Sequence, residues 1–324
     1  MLQLGFASFH LQLTRRLVPR LIGGLLFCAA VVSAQNPQHP HILGISHYAI
    51  FAHDYQKSRA FYGEFLGFQE PYDLKKPDGT AIMTFYKIND HQYLELYPEI
   101  EANSDRLSHL SLETDDIEGL RKYLASKGIA VPPEAHTARI GNKSFDIIDP
   151  EGHKVEMVQY MPEGKTVANY GKYLGPSRIS NHMTHVGIVV TKLDPEYKFY
   201  TEILGFKETW RGSQTGSILS WVNLKVPDGD DYLEFMLNPK EPAPTERGSA
   251  HHICLVVPNV ATSVQTLKSR PYIKTYGRPI VEKTGINRKR QANLFDPDGT
   301  RTELMESTTI DGKPTPASTA PFPQ

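Results

Sequence analysis

Two stretches 147 residues apart carry the same short device. Asp149-Pro150-Glu151-Gly152 is followed by His153-Lys154-Val155-Glu156, and Asp296-Pro297-Asp298-Gly299 by Thr300-Arg301-Thr302-Glu303. Pro fixes φ and Gly accepts positive φ, so each Asp-Pro-x-Gly stretch reads as a tight turn between strands. The glutamates on the outgoing arms, Glu156 and Glu303, are also 147 residues apart. A hairpin repeated at that interval with its carboxylate in register marks a duplication.

The rest of the chain follows the same period. Strand-like Ile45 to Ala52 precedes a helical apolar stripe from Tyr55 to Leu66, closed by Gly67. Strand signals follow at Phe68 to Leu74, Ala81 to Ile88 and Gln92 to Tyr97, giving the order βαβββ. Further units begin with the strands Leu107 to Glu113, Met183 to Val190 and Ala250 to Val257. Their helices run over Ile117 to Ser126, Pro195 to Leu204 and Val260 to Ser269. The fold class is therefore α+β, built from four βαβββ modules. Residues 44–160 form one domain, 161–180 a linker rich in Gly, Pro, Lys and Tyr, and 181–306 a second domain. Residues 307–324, mostly Pro, Thr, Ser and Ala, bury little and read as a disordered tail.

Residues 1–34 read as a signal peptide. Arg15, Arg16 and Arg20 precede an apolar run from Leu21 to Val32, which is too short to span a bilayer, and Val32-Ser33-Ala34 supplies a small-residue cleavage site. Phe27 before Cys28 disfavours a lipoprotein anchor. The expectation is export, periplasmic or secreted, with no stable membrane anchor. Cleavage after Ala34 leaves 32 basic residues against 36 acidic ones, and Cys254 as the sole cysteine, which precludes an intrachain disulfide. No basic stripe appears, so nucleic acid is not an expected partner; a small molecule is. Nothing in the sequence bears on oligomeric state.

Each module starts with a histidine and ends with a glutamate: His47 with Glu95, His109 with Glu156, His185 with Glu234, and His252 with Glu303. The spacings are 48, 47, 49 and 51 residues. Taken singly, each His reads as a satisfied core residue and each Glu as a solvated one; four in alignment read as ligands for a divalent metal. His251 competes with His252, but His252 lies eight residues before Val260, as His47 lies before Tyr55 and His109 before Ile117. Arg288-Lys289-Arg290 could read an anionic substrate, though a solvated basic loop is the commoner role. Tyr93, Tyr97 and Trp221 could line a cavity or simply pack.

The βαβββ repeat, the Phe-Tyr-x-x-x-Leu-Gly-Phe motif at 61–68, its variant at 199–206, and the Asp-Pro-x-Gly hairpin ending in Glu resemble the vicinal oxygen chelate superfamily. That superfamily includes glyoxalase I, extradiol dioxygenases and antibiotic-resistance proteins. The resemblance implies that modules pair into two cup-shaped, eight-stranded open barrels. It implies the metal ligands His47, Glu95, His109 and Glu156 in one cup, and His185, Glu234, His252 and Glu303 in the other. The metal would be Zn, Ni, Co, Mn or Fe. A glyoxalase-type lyase or isomerase acting through adjacent substrate oxygens follows from four ligands, with Glu156 and Glu303 moving the proton. One alternative is an extradiol dioxygenase with iron on His185, His252 and Glu303; it leaves Glu234 without a place and finds no histidine after His252. The other is a non-catalytic ligand-binding protein. Glutathione is largely a cytoplasmic thiol, so export points to a different physiological substrate.

Overall fold

The computed structural model describes residues 39–99, 101–238 and 240–322. The expected signal peptide and its cleavage site lie outside these. Among the described residues, no helix is long and apolar enough to cross a membrane.

The first half contains β1 (Gly44–Ala52), β2 (Gln69–Lys75), β3 (Ala81–Lys87), β4 (Tyr93–Pro98), β5 (Leu107–Glu113), β6 (His136–Thr137), β7 (Lys143–Ile148) and β8 (Lys154–Gln159). They form one sheet in the order β2-β3-β4-β1-β5-β8-β7-β6. The second half repeats it with β9 (Met183–Val190), β10 (Lys207–Gly212), β11 (Trp221–Lys225), β12 (Tyr232–Leu237), β13 (His252–Val256), β14 (Glu282–Thr284), β15 (Lys289–Phe295) and β16 (Arg301–Thr309). Its order, β10-β11-β12-β9-β13-β16-β15-β14, is the same permutation. Two βαβββ modules thus share each eight-stranded, curled sheet, joined through the antiparallel pairs β1–β5 and β9–β13.

Strand alternation divides the side chains between two environments. Tyr48, Ile50, Leu94, Leu96, Leu110, Leu112, Val155 and Met157 enter the core under the helices. Their neighbours His47, Tyr93, Glu95, Tyr97, His109, Glu156 and Val158 face the hollow of the sheet. The helices under the sheets include α1 (Tyr55–Ala60), α2 (Ile117–Ser126), α4 (Leu193–Lys198), α5 (Val260–Ser269) and α6 (Ile273–Tyr276), while α3 (Lys165–Ala168) borders the hollow of the first sheet through Thr166.

The repeated Phe-Tyr motif has a structural explanation. After α1 and α4 the chain widens into an i→i+5 turn, Leu66 N–H donating to Phe61 O at 2.9 Å and Leu204 N–H to Phe199 O at 3.1 Å. Gly67 (φ 79°) and Gly205 (φ 74°) end these turns in left-handed backbone, which a side chain would strain. The motif tyrosines then reach into the opposite half: Tyr62 donates to Asp296 and Tyr200 to Asp149, each at 3.2 Å. The Asp-Pro-x-Gly turns return the contact. Asp298 accepts from His53 N–H at 2.7 Å and Glu151 from Thr191 N–H at 3.1 Å, satisfying amides where the partner half's first helix begins. Gln92 adds a buried bridge, donating to Met183 O at 2.8 Å and to Asp231 at 3.1 Å.

The halves differ at this junction. Ser58 and Thr300 occupy on one side the places held by Glu196 and His153 on the other, at the offsets of the duplication. The Glu196 carboxyl is fully buried and lies 3.8 Å from His153, which pairs with Asp149 at 2.8 Å. Burial first, with Asp149 adding to it, pushes Glu196 up to about 8. Burial opposes protonation of His153, but Asp149 and Glu196 prevail and hold it near 10. Both groups keep a proton in the folded chain at pH values where the unfolded chain has released it. Their contribution to stability is therefore complete at low pH, and is lost as pH rises from about 4.5 to 8 for Glu196 and from about 6.5 to 10 for His153. Asp149, held low, acts only on the acid limb. The melting temperature is expected to fall between pH 6 and 9, and Glu196→Gln to flatten that slope. Calorimetry giving parallel slopes for both proteins would contradict this account.

The connector between the halves and the tail are both tied down, the tail against the expectation of disorder. The 161–180 connector is pinned to the first half: Lys87 Nζ donates to Asn169 O at 2.6 Å, Asn142 to Thr166 at 2.9 Å, and Ile179 N–H to Leu66 O at 2.8 Å. The tail is ordered as well. β16 continues to Thr309, and beyond it Ser318 N–H donates to Arg211 O and Leu219 N–H to Pro321 O, each at 2.9 Å. This segment covers β10, an edge strand whose free backbone groups supply partners without any need for apolar side chains. Composition could not register that.

Candidate metal centres

The aligned histidines and glutamates gather in the hollow of each sheet: in the second half all four offer donor atoms within 4.8 Å of one another, while in the first half His47, Glu95 and His109 do so and Glu156 joins them through the two histidines. Parallel pairing sets His47 opposite Tyr93 and places Glu95 beside it on the neighbouring strand. The antiparallel β1–β5 pair brings His109 across, and Glu156 follows from the parallel β5–β8 pair. His47 Nε2 lies 3.0 Å from His109 Nε2, 2.9 Å from Glu156 and 3.5 Å from Glu95. His109 Nε2 is 3.7 Å from both carboxylates.

The second half reproduces this. His185 and His252 Nε2 are 3.1 Å apart; Glu234 lies 3.8 and 3.5 Å from them, and Glu303 3.6 Å from each. One donor atom from each of these four residues lies within 4.8 Å of all the others. Donors about 2.1 Å from a common ion and at right angles to each other are about 3.0 Å apart, so the imidazole pairs fit a divalent centre. The donor chemistry fits too, with two borderline nitrogens and two hard carboxylates in each set.

The imidazoles are oriented from behind. His47 Nδ1 meets Ser46 Oγ and His109 Nδ1 meets Ser108 Oγ, both at 3.1 Å. His252 Nδ1 donates to Ala250 O at 2.6 Å, which leaves its Nε2 lone pair facing the cup. Gly187 makes room for that ring: a Cβ there would fall 2.0 Å from His252 Cε1. Packing the groups together shifts their ionisation. Burial, reinforced by Glu156, raises Glu95 to about 7 although His47 opposes it, and burial together with His47 holds His109 near 3. Burial disfavours the charged forms of Glu156 and Glu303 as well, but the adjacent imidazoles outweigh it and hold both carboxyls low.

The cavities above the two sets differ. The first encloses about 430 Å³, with Leu74, Met83, Phe85, Tyr93 and Ile140 on its walls. Tyr97 also lines it and donates to Glu95 at 3.0 Å, so Tyr93 and Tyr97 face the cavity. The second encloses about 200 Å³ and is lined by Trp210, Trp221, Gln291 and Arg301. In the tested basic run, Arg288 is bound to Asp311 by a short ion pair, and Arg290 is exposed. Lys289 alone turns toward Glu303 and Cys254, burial lowering its pKa. His251 stays outside the cup: Val189 N–H donates to its Nδ1 at 3.3 Å. Cys254 is buried, its thiol pushed up by burial. Lys154, Asp146, Arg301 and Asn293 went unnoticed in the sequence, although laying one hairpin over the other at the 147-residue interval superposes them.

The glyoxalase/bleomycin resistance protein/dioxygenase superfamily model matches residues 44–157 and 182–304. Lactoylglutathione lyase of Schizosaccharomyces pombe is 26% identical over 216 residues, covering 61% of this chain and 66% of that protein. An uncharacterized Bacillus subtilis protein, YwkD, is 26% identical over 122 residues, which is 36% of this chain and 95% of its own. Among solved structures, the Mn(II)-bound glyoxalase from Novosphingobium aromaticivorans shares the fold with a TM-score of 0.63 and 16% identity, over 87% of this chain and 88% of that one. The 2,3-dioxygenase LapB from Pseudomonas sp. KL28 does so with a TM-score of 0.60 and 17% identity, over 86% and 97%. With matched segments over both halves, the duplicated chain belongs to the glyoxalase/bleomycin resistance protein/dioxygenase superfamily.

Proposed function

We propose that the chain is an exported, divalent-metal-dependent lyase or isomerase of the glyoxalase type, acting on a small substrate that chelates through adjacent oxygens. The observation that supports this reading is the convergence of His185, Glu234, His252 and Glu303 in the second cup, matched in the first by His47, Glu95 and His109 with Glu156 against the histidines, the imidazole nitrogens lying 3.0 and 3.1 Å apart. His47, Glu95, His109 and Glu156 would hold one ion, and His185, Glu234, His252 and Glu303 a second. A bound ion would act there as a Lewis acid on the substrate oxygens. The protein groups do the rest. Glu156 and Glu303, each on a hairpin arm with its carboxylate at the cavity floor, are placed to take a proton from a substrate carbon and return it to the neighbouring one.

Elemental analysis of protein purified from its host without chelators is expected to find Zn, Ni, Co, Mn or Fe near two equivalents, and mass spectrometry of the same sample an N-terminus at Gln35. The metal-loaded protein should isomerise 2-oxoaldehyde adducts of small thiols. Catechol-dependent oxygen uptake with iron in its place would favour the ring-cleaving alternative, and neither activity with metal-free cups would favour a ligand-binding protein.

A further inference from the structure

The two halves derive from one duplication, so each serves as a control for the other. At the hairpin offset Lys154 corresponds to Arg301, Asp146 to Asn293 and Ser144 to Gln291. The ladders place them alike, with Asp146 opposite Glu156 and Asn293 opposite Glu303. In the first cup the Lys154 ammonium lies 3.6 Å from the Asp146 carboxylate, so the wall neutralises its own basic group. In the second cup the counter-ion has been replaced by a neutral amide.

Arg301 has no carboxylate partner, and beyond His252 its Nη2 meets only Met236 Sδ at 4.0 Å. Among the described residues no carboxylate lies within 4.0 Å of its guanidinium nitrogens, and its Nε is buried without an acceptor. Its Nη2 lies 2.7 Å from His252 Nδ1, but that nitrogen carries the proton given to Ala250 O and so offers no lone pair. The Asn293 Oδ1 is buried and unbonded as well. A partly buried guanidinium that lines a cavity and lacks an acceptor favours an anion supplied from outside. Charge counting agrees. A divalent ion would balance Glu234 and Glu303, which leaves Arg301 and Lys283 on the second cavity's wall without a paired carboxylate among the described residues.

We infer that the second cup takes a small anionic ligand, a 2-hydroxy- or 2-oxocarboxylate, whose carboxylate Arg301 binds while its adjacent oxygens point at the four-ligand set. The cavity of about 200 Å³ suits a ligand of a few heavy atoms. The first cup, twice as large and walled largely by aromatic and aliphatic side chains, pairs its Lys154 with Asp146 and carries Arg139 only at its exposed rim. This assignment rests on the metal-centre reading above, and its test separates the two.

The full-length mature chain with its first cup disabled by His47→Ala and His109→Ala is loaded with metal and titrated calorimetrically with lactate and with its neutral analogue lactamide. Lactate is expected to bind at least ~10-fold more tightly, as a charged hydrogen bond supplies. Arg301→Gln should abolish that preference, Arg301→Lys should keep part of it, and Asn293→Asp, which restores the counter-ion of the first cup, should abolish it with Arg301 intact. Equal binding of lactate and lactamide, or an unchanged lactate affinity in Asn293→Asp, overturns the assignment. Metal content is measured on every sample. A second cup that takes up no metal refutes the metal-centre reading. In that case lactate binding lost in Arg301→Gln still supports the anion site, and lactate binding unaffected by Arg301→Gln overturns it.

Discussion

Glu234→Gln, made in a chain whose first cup carries His47→Ala and His109→Ala, is expected to deprive the second cup of its metal as effectively as Glu303→Gln does. Glu234 stands 3.5 Å from His252 Nε2 and Glu303 3.6 Å, so neither carboxylate is placed as an outer support for the other. Replacing a carboxylate by an amide removes a unit of ligand charge. Changing a residue that merely orients a ligand costs 10- to 100-fold in metal affinity, so loss of a ligand should exceed ~100-fold. Turnover should fall with occupancy. The comparison also tests reaction class. In a site of two histidines and one glutamate, Glu234 lies outside the ligand set, and Glu234→Gln would leave iron bound while catechol-dependent oxygen uptake persisted. Full metal occupancy in Glu234→Gln would remove the four-ligand assignment. The disabling changes alter only groups that face the hollow and leave the core beneath the helices untouched, so folding should survive them.

Chelation should be the largest perturbation of stability. A ligand that binds only the folded chain, at about 1,000 times its dissociation constant, contributes about 4 kcal/mol per site. For a domain of this size each kcal/mol moves the melting temperature by roughly 2–4 °C. Removing metal from both cups with EDTA is therefore expected to lower the transition by on the order of 20 °C, and adding back the divalent ion to restore it. Disabling one cup by His→Ala should leave about half the effect. A melting temperature indifferent to EDTA in protein shown to carry metal would mean that the cups bind without stabilising, against the linkage argument.

Much of the candidate site was legible because it obeys local rules. Alternation along β1, β4, β5 and β8 fixes which side chains share a face, and duplication repeats the solution in β9, β12, β13 and β16. Local spacing alone therefore puts His47, Glu95, His109 and Glu156, with their four counterparts, on one face of each sheet. The choice of His252 over His251 rested on the same register, and His251 does point elsewhere, toward Asp105 at 3.5 Å.

What the sequence by itself determined is what depends on neighbours a few residues away: the order of strands and helices, the turns, the repeat, and the face on which each ligand lies. Only the tertiary structure decided how far apart the ligands end up, and so whether the imidazole nitrogens meet at 3.0 Å. It alone decided that Tyr62 and Tyr200 bond across the halves over 234 and 51 residues. The order of the tail was decided in the same way, by an edge strand about 100 residues earlier in the chain whose backbone groups needed partners. The charge difference between the cups lies between these cases. Asp146 and Asn293 can be compared in the sequence, but only the fold places each beside the basic group whose charge it does or does not balance. The physical reason is that hydrogen bonds and ion pairs depend on distance in space, and over such separations distance is set by packing rather than by the pattern of neighbouring residues.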